Sequence, residues 1–266
     1  MESKDISQRW ENYRLANSTK PTARENELKQ IFSMLSPKEG ERILEVGTGN
    51  GYLTFPIAQA VGNKGEVVTV DAVEKNLQDV VKRNTQNLPI NPLYFDPNGP
   101  TIIPINIGEF DAVASIATLH HFDNRKKGTG ESGRRKALTD FYRALKNGGR
   151  LVISDVVHEG ISQKYFDAID NPEHCFPEGH PHDFFTPERL EQLLNEIGFK
   201  NISVEVKRVP WQFTSPEEAE NFVHTIHNAK CSVKESFEVA KEYLGFNKVD
   251  DHYELGWELF FVTATK

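Results

Sequence analysis

The stretch ILEVGTGNGYL, from Ile43 to Leu53, is the most informative part of this sequence. It includes most of a short apolar run, Arg42 to Val46, that is typical of a buried β-strand, and three glycines within five residues end that run abruptly. Glycine lets the backbone turn sharply and lets a ligand approach with no Cβ in the way. Because a helix is predicted from Tyr52 to Val61, we expect backbone amides of the turn and of the helix start to face any ligand bound there.

Three interpretations of this turn are open at this point: a tight turn without a ligand, a dinucleotide site and another kind of nucleotide site. The dinucleotide fingerprint needs a third glycine three residues after the second. Here Gly49 is followed by Asn50, Gly51 and Tyr52, so that spacing fails. An acidic residue, Glu45, lies two positions before the first glycine and completes the pattern ExGxGxG.

Predicted strands and helices alternate along the first 160 residues. This rhythm favours a parallel sheet that is covered by helices on both faces. The further strands predicted in this part are Gly65 to Asp71, Leu93 to Phe95, Phe110 to Ala117 and Arg150 to Val157. The rest of the chain is predicted to form helices over Thr186 to Ile197, 215–229 and 234–244, and strands over Ile202 to Val209 and Trp257 to Thr265.

The pattern ExGxGxG, from Glu45 to Gly51, resembles motif I of the class I S-adenosylmethionine-dependent methyltransferases. The resemblance extends over roughly residues 40 to 160, where Asp71, Asp96, the strand from Phe110 and the segment from Arg143 to Ser154 follow in the family's order. It implies a Rossmann-like α/β fold with a seven-stranded, mostly parallel sheet, an antiparallel last strand and a helical cap. Lys-Asn-Gly-Gly replaces the common Lys-Pro-Gly-Gly, and the connection Asn124 to Lys136 is longer than usual.

The same resemblance implies a binding site for S-adenosylmethionine. The loop would wrap the methionine part and ribose of the cofactor, Asp71 would accept hydrogen bonds from the ribose hydroxyls, and Asp96 would meet the adenine amino group. The residues expected to bind the cofactor on this basis are Glu45, Gly47, Thr48, Gly49, Gly51, Asp71, Ala72, Asp96 and Ser115.

The resemblance also suggests how the chain is organised. Residues 1–35 are predicted to form an N-terminal helical cap segment, and residues 36–160 the cofactor-binding α/β core. Residues 161–250 are predicted to face the substrate with helices and one strand, and residues 251–266 to return to the core as its final strand.

Three histidines are candidates for the chemistry. His120 and His121 are predicted to end the fourth strand, at the sheet edge where ligands bind in parallel α/β proteins, and His182 follows a Pro- and Gly-containing segment. Methyl transfer from a sulfonium is an in-line displacement in which the protein mainly positions the acceptor and, where needed, removes a proton. A wall or orienting role and a general-base role therefore both stay open for these histidines. Asp123 is interpreted as an ordinary loop residue.

The segment from Glu173 to Asp183 contains four possible metal ligands, namely His174, Cys175, His180 and His182. Imidazole and thiolate ligands would suit zinc. Their spacing matches no standard zinc motif, and the Pro and Gly residues among them indicate a loop, so no metal is predicted. A thiol-dependent arsenic methyltransferase is disfavoured because the chain has only two cysteines.

Composition limits the partners and the compartment. The 266-residue chain carries a net charge of −8, so the overall positive field that favours long nucleic acids is missing. No apolar run approaches the roughly 20 residues that a membrane-spanning helix needs, the start of the chain has no apolar secretory signal, and two cysteines form no disulfide framework. These features predict a cytoplasmic protein, and they predict nothing about its oligomeric state.

The predicted function is methyl transfer from S-adenosylmethionine to an oxygen, nitrogen or carbon atom of a small molecule. Two alternatives are a nucleic-acid or protein methyltransferase and a non-catalytic S-adenosylmethionine-binding protein. A NAD-dependent oxidoreductase is disfavoured by the glycine spacing.

Overall fold

The computed structural model describes residues 3–96, 101, 103, 109–123, 130–174 and 182–266. The chain forms two compact units. The first, which we call the sheet unit, consists of Leu28–Asp155, His182–Val206 and Phe260–Lys266. The second unit consists of Met1–Glu27, Val156–Pro181 and Lys207–Leu259. Within the described residues, no helix combines the length and the apolar character needed to cross a membrane.

A seven-stranded sheet dominates the sheet unit. Its strands are β1 (Arg42–Val46), β2 (Glu66–Asp71), β3 (Ile90–Tyr94), β4 (Phe110–Ile116), β5 (Leu145–Val156), β6 (Lys200–Arg208) and β10 (Glu258–Thr265). They lie in the order β3-β2-β1-β4-β5-β10-β6. β1 pairs in parallel with both β2 and β4, so the strand order reverses at β1. In such sheets ligands bind outside the carboxyl ends of the strands at the point of reversal.

The last strand runs against the others, as predicted. The Gly148 N–H donates to the Lys266 carbonyl, and the Lys266 N–H donates to the Gly149 carbonyl, each at 3.0 Å. These bonds place the end of β10 beside the start of β5, which is the antiparallel arrangement. The predicted fold class, a mostly parallel seven-stranded sheet with one antiparallel strand, is confirmed.

Helices flank this sheet, and the two that were predicted at Tyr52 to Val61 and at Thr186 to Ile197 begin and end within two residues of those positions. The flanking helices are α2 (Glu25–Leu35, in this unit from Leu28 onward), α3 (Thr54–Val61), α4 (Glu74–Arg83), α5 (Ser132–Ala144) and α7 (Pro187–Ile197). Local chemistry fixes the ends of α7. The Thr186 hydroxyl accepts a hydrogen bond from the Arg189 N–H, and Gly198 ends the helix in the left-handed conformation.

The second unit contains more β-structure than the sequence predicts. Its helices are α1 (Ser3–Thr19), α6 (Ile161–Ile169), α8 (Pro216–His227) and α9 (Val233–Leu244), and its strands are β7 (Trp211–Phe213), β8 (Phe246–Val249) and β9 (His252–Leu255). The strands form an antiparallel sheet in the order β7-β9-β8. Strands of three or four residues are too short to show the alternation on which sequence prediction depends. The segments that were expected to be helical therefore also include a small sheet.

The strand predicted from Phe110 to Ala117 ends at Ile116, within one residue of the prediction. His120 and His121, which were expected at its end, lie beyond it on a 3₁₀ turn, Leu119–Phe122. Ala117 has a φ of +49°, which is incompatible with continued extended backbone. This kink moves the histidines off the strand while keeping them at the carboxyl edge of the sheet.

The same kink brings β4 close to the glycine turn. Gly47 has a φ of +92°, and a Cβ added there would lie 2.1 Å from the Thr118 hydroxyl oxygen. Gly49 also has a left-handed φ, +51°, but a Cβ added there would meet no atom of the described residues within 4 Å. The two glycines are thus required for different reasons: close packing and backbone conformation at Gly47, and backbone conformation alone at Gly49.

We predict that Gly47→Ala destabilises the protein more than Gly49→Ala does. At position 49 the cost should be the left-handed strain of a non-glycine residue, about 1–2 kcal/mol. At position 47 overpacking against Thr118 adds about 1–3 kcal/mol to a similar strain. Urea unfolding of both variants beside the wild type measures the two losses, and equal losses would contradict the packing role of Gly47.

Candidate functional site

The glycine turn crosses the carboxyl end of β2 and is tied to Asp71. The N–H groups of Gly47 and Thr48 both donate to the Val70 carbonyl. The Gly49 N–H donates to Asp71 Oδ2 at 2.9 Å. Burial raises the pKa of Asp71 above its ordinary value, although backbone amides that donate to the carboxylate lower it. Asp71, the residue predicted to contact the ribose, therefore also holds the glycine turn in place.

Further donors orient the Asp71 carboxylate. The Val73 N–H donates to Oδ1 at 2.8 Å, and the Asn76 side-chain amide donates to Oδ2 at 3.1 Å. Both donors come from the start of α4, which directly follows β2. The short connection from strand to helix thus fixes the carboxylate at the sheet edge.

Glu45 lies beneath the turn in a network of threonine hydroxyls. The hydroxyls of Thr54 and Thr69 both donate to Glu45 Oε2, at 2.5 and 2.6 Å. The Thr48 hydroxyl lies 2.6 Å from that of Thr69 and extends the network into the turn. Glu45 is 1% exposed, so its visible role is to join β1, β2 and α3. Its predicted contact with the cofactor stays a prediction.

The remaining residues predicted to bind the cofactor lie around this turn. Gly51 is buried against Phe55 of α3, and Ala72 is half-buried after β2. The buried Ser115 hydroxyl donates to the Val46 carbonyl at 2.9 Å, which joins the ends of β1 and β4. Asp96 is exposed just beyond β3. The structure brings these residues to one edge of the sheet, and their contacts with a cofactor remain predictions.

A buried His–Asp pair lies at the carboxyl ends of β4 and β5. The His120 N–H donates to Asp155 Oδ2 at 3.0 Å, and His120 Nδ1 lies 2.7 Å from Asp155 Oδ1. Both side chains are almost completely buried. Because a carboxylate only accepts hydrogen bonds, Nδ1 carries the proton and the neutral ring presents Nε2 as its basic nitrogen. This arrangement can remove a proton from a bound molecule.

The other two predicted histidines also come together. His121 Nδ1 lies 3.1 Å from His182 Nε2, and His182 Nδ1 lies 2.9 Å from the Asp123 carbonyl oxygen. The ring centroids of His120 and His121 are 4.0 Å apart, and those of His120 and His182 are 5.5 Å apart. The tertiary fold thus places three imidazoles, 62 sequence positions apart at most, at one edge of the sheet.

Two residues that support this cluster were missed or misjudged by the sequence analysis. Asp155 was not singled out, although it lies near the end of the predicted fifth strand, Arg150 to Val157, much as Asp71 lies at the end of the second. Asp123 was interpreted as an ordinary loop residue, but it is buried. Its carboxylate accepts hydrogen bonds from the N–H groups of Gly133 and Arg134 and from Arg134 Nε. No local pattern indicates that pairing, because ten residues separate the partners.

The structure describes only some of the four possible metal ligands in the segment from Glu173 to Asp183. Cys175 and His180 lie outside the described residues, and His182 bonds to His121 and Asp123. Among the residues that the structure describes, no group of three or more His, Cys, Asp or Glu side chains is arranged to hold a metal ion.

The Glu45 network predicts a particular pH dependence of stability. Burial raises the pKa of Glu45 from its ordinary value of 4.5 to about 7, and the hydroxyls of Thr54 and Thr69 offset this only in part. Its stabilising contribution is therefore complete below pH 4.5 and is lost as the pH rises through 7. Glu45→Gln should lack this loss, so the wild type should become less stable relative to the variant between pH 5 and 8.

Urea unfolding of both proteins across this range measures the difference. Glu41→Gln provides a control of opposite sign. Burial raises the pKa of Glu41, but hydrogen bonds from Arg150 and from the Lys38 amide outweigh it and lower the pKa overall. The wild type should therefore lose stability relative to this control variant as the pH falls below 4.5, so the control series is extended below that pH. If the difference in unfolding free energy between the wild type and Glu45→Gln does not change with pH, then burial of the charged Glu45 side chain does not destabilise the protein, and the prediction is wrong.

Comparison with known proteins identifies the family. A family model described as a methyltransferase domain matches residues 22–204. O-methyltransferase rstn1 from Aspergillus nomiae is 30% identical over 188 residues, which cover 68% of this chain and 73% of that protein. An O-methyltransferase from Penicillium expansum is 26% identical over 183 residues, which cover 66% of this chain and 58% of its own length.

A solved structure supports the fold. Phosphoethanolamine N-methyltransferase 2 of Haemonchus contortus, in complex with S-adenosyl-L-methionine, superposes with a TM-score of 0.59 at 21% identity, covering 91% of this chain and 52% of that one. The aligned region covers 58% of the length of the Penicillium expansum protein, and 66% and 45% of the length of two other curated relatives. In each case this is less than two thirds of the relative's length. With two thirds of its residues inside the family model, this chain belongs to the methyltransferase domain family as a class I, S-adenosylmethionine-dependent member.

Proposed function

We propose that this protein transfers a methyl group from S-adenosylmethionine to a hydroxyl oxygen of a small molecule. The observation that carries this proposal is the His120–Asp155 pair at the carboxyl edge of the sheet, beside the glycine turn. A hydroxyl is a poor nucleophile until it loses its proton, so a histidine held by a carboxylate suits an oxygen acceptor. The names of the two relatives, both O-methyltransferases, support the same acceptor class.

The residues at the glycine turn suit the methyl donor. In the part of the chain that the structure describes, no atom lies within 4 Å of a Cβ built on Gly49, and Asp71 and Asp96 stand at the carboxyl ends of β2 and β3. The Gly49 backbone would accommodate the methionine and ribose portions, with Asp71 facing the ribose and Asp96 the adenine. When bound, S-adenosylmethionine supplies a methyl group already activated for displacement at its sulfonium.

His120 would act on the acceptor. As the acceptor oxygen bonds to the methyl carbon, the carbon–sulfur bond breaks and its electron pair stays on sulfur. The proton of the hydroxyl passes to His120 Nε2, which balances the step. Asp155 keeps the ring oriented through Nδ1 and stabilises the positive charge that the ring gains. The burial of His120 keeps bulk water away from that nitrogen.

The acidic net charge and the cysteine content support a small-molecule acceptor and a cytoplasmic location. A nucleic-acid or protein acceptor and a non-catalytic binding role remain the competing functions. Neither of these functions would require the His120–Asp155 pair to deprotonate the hydroxyl of a small molecule.

Binding of the donor product is the first test. We expect S-adenosylhomocysteine to bind the wild type in isothermal titration calorimetry and Asp71→Ala to weaken binding about tenfold or more, because a charged hydrogen bond to the ribose is lost. Glu39→Ala, which removes an exposed carboxylate elsewhere on the sheet unit, should bind like the wild type. Absence of binding by the wild type at millimolar ligand would rule out the function.

The histidine pair is tested on an acceptor found by screening phenols, enols and alcohols for methylation by mass spectrometry. His120→Gln should lower kcat by about 100-fold or more, which is typical for loss of a general base. Asp155→Asn should also lower kcat, because the amide can hold the ring in the wrong tautomer. Both variants should keep the wild-type affinity for S-adenosylhomocysteine, and a His120→Gln enzyme within twofold of wild-type kcat would rule out the base.

A further inference from the structure

A second histidine pair lies beside the His120–Asp155 pair, and its hydrogen bonds determine where its protons are. The Asp123 carbonyl can only accept a hydrogen bond, so His182 Nδ1, 2.9 Å away, must carry a proton. A neutral imidazole carries one proton on its two nitrogens, so His182 Nε2 is then an acceptor. His121 Nδ1, 3.1 Å from that nitrogen, must therefore be the donor.

This chain of bonds leaves one protonation state for the neutral His121 ring. With its proton on Nδ1, the basic nitrogen of His121 is Nε2. In solution, neutral histidine favours the opposite tautomer, with the proton on Nε2. The contact with His182 therefore reverses the usual preference of His121, as Asp155 does for His120.

Asp123, which accepts the first hydrogen bond of this series, is itself held by several hydrogen bonds. The Asp123 carboxylate is buried and accepts hydrogen bonds from Arg134 Nε and from two backbone N–H groups. Arg134 also donates from Nη1 to the Asp183 carbonyl at 3.2 Å, and its guanidinium lies 4.1 Å from the centre of the Phe185 ring. One buried arginine thus holds both Asp123, which accepts from His182, and Asp183, the residue that follows His182.

The two oriented histidines differ in their access to solvent. His120 is buried, whereas His121 is exposed, and their ring centroids are 4.0 Å apart. A buried base that takes a proton in every turnover has to release it before the next one. An exposed neighbour with an oriented basic nitrogen is suited to pass that proton to water.

We propose that His182 is a positioning residue that fixes His121 in the Nδ1–H tautomer, so that His121 Nε2 takes the proton released at His120 and delivers it to solvent. One proton moves and no bond other than N–H changes. The role as a proton exit rests on the proposed methyl transfer, whereas the control of the tautomer rests on the hydrogen bonds alone.

The tautomer is measured directly by ¹⁵N NMR of the histidine side chains in the full chain at a pH where the rings are neutral, with no ligand added. His182→Phe keeps a ring but removes both nitrogens, and we expect it to shift His121 towards the Nε2–H tautomer. His182→Gln restores an acceptor oxygen and should return His121 to the Nδ1–H form. His252→Ala, which removes an imidazole from the small sheet of the second unit, should leave His121 unchanged.

The second readout is activity on the acceptor identified above. His182→Phe should lower kcat about tenfold with little change in KM or in S-adenosylhomocysteine affinity, and His182→Gln should recover most of kcat. If His121 keeps the Nδ1–H tautomer in His182→Phe, or if the Gln and Phe variants lose kcat equally, the positioning role is overturned.

The NMR experiment also separates this proposal from the proposed function. If the wild type does not bind S-adenosylhomocysteine, the proposed methyl transfer is ruled out. The tautomer of His121 would still decide whether His182 is a positioning residue. If His182→Phe does not fold, His182→Ala is measured in its place with the same expected and contradicting outcomes.

Discussion

The close approach of Gly47 to Thr118 is the constraint on which the candidate site depends. There is no room for a side chain between the glycine turn after β1 and the kink after β4. The Ser115 hydroxyl, bonded to the Val46 carbonyl, joins the same two strand ends. Because these strands are neighbours at the point where the strand order reverses, the contact brings the turn and the histidine segment together at one edge.

Carboxylates at this edge differ in the donors they receive, and this difference separates their roles. Asp71, Asp123 and Asp155 each accept hydrogen bonds from backbone N–H groups. Among the described residues, Glu45 accepts hydrogen bonds from the hydroxyls of Thr54 and Thr69, and burial raises its pKa to about 7. The aspartates therefore organise backbone at the strand ends, whereas Glu45 joins strands and helix below the turn.

Much of the sheet unit could be predicted from sequence because its signals are local. An apolar run, a glycine turn and a helix start follow one another within 20 residues, and similar units repeat up to residue 160. The second unit was harder to predict. Its strands β7, β8 and β9 contain three or four residues each, and only their pairing with one another identifies them.

The sequence by itself determined the fold family, the position of the glycine turn and the set of candidate histidines, because each depends on residue type and on spacing along a strand or helix. Only the tertiary structure decided which groups pair. Asp155 orients His120 across 35 positions, and His182 meets His121 across 61. A hydrogen bond depends on distances of about 3 Å and on donor direction, and in a folded chain these are set by the packing of distant elements. For the glycine turn itself, the structure added that Gly47 is required by Thr118 of a distant strand end.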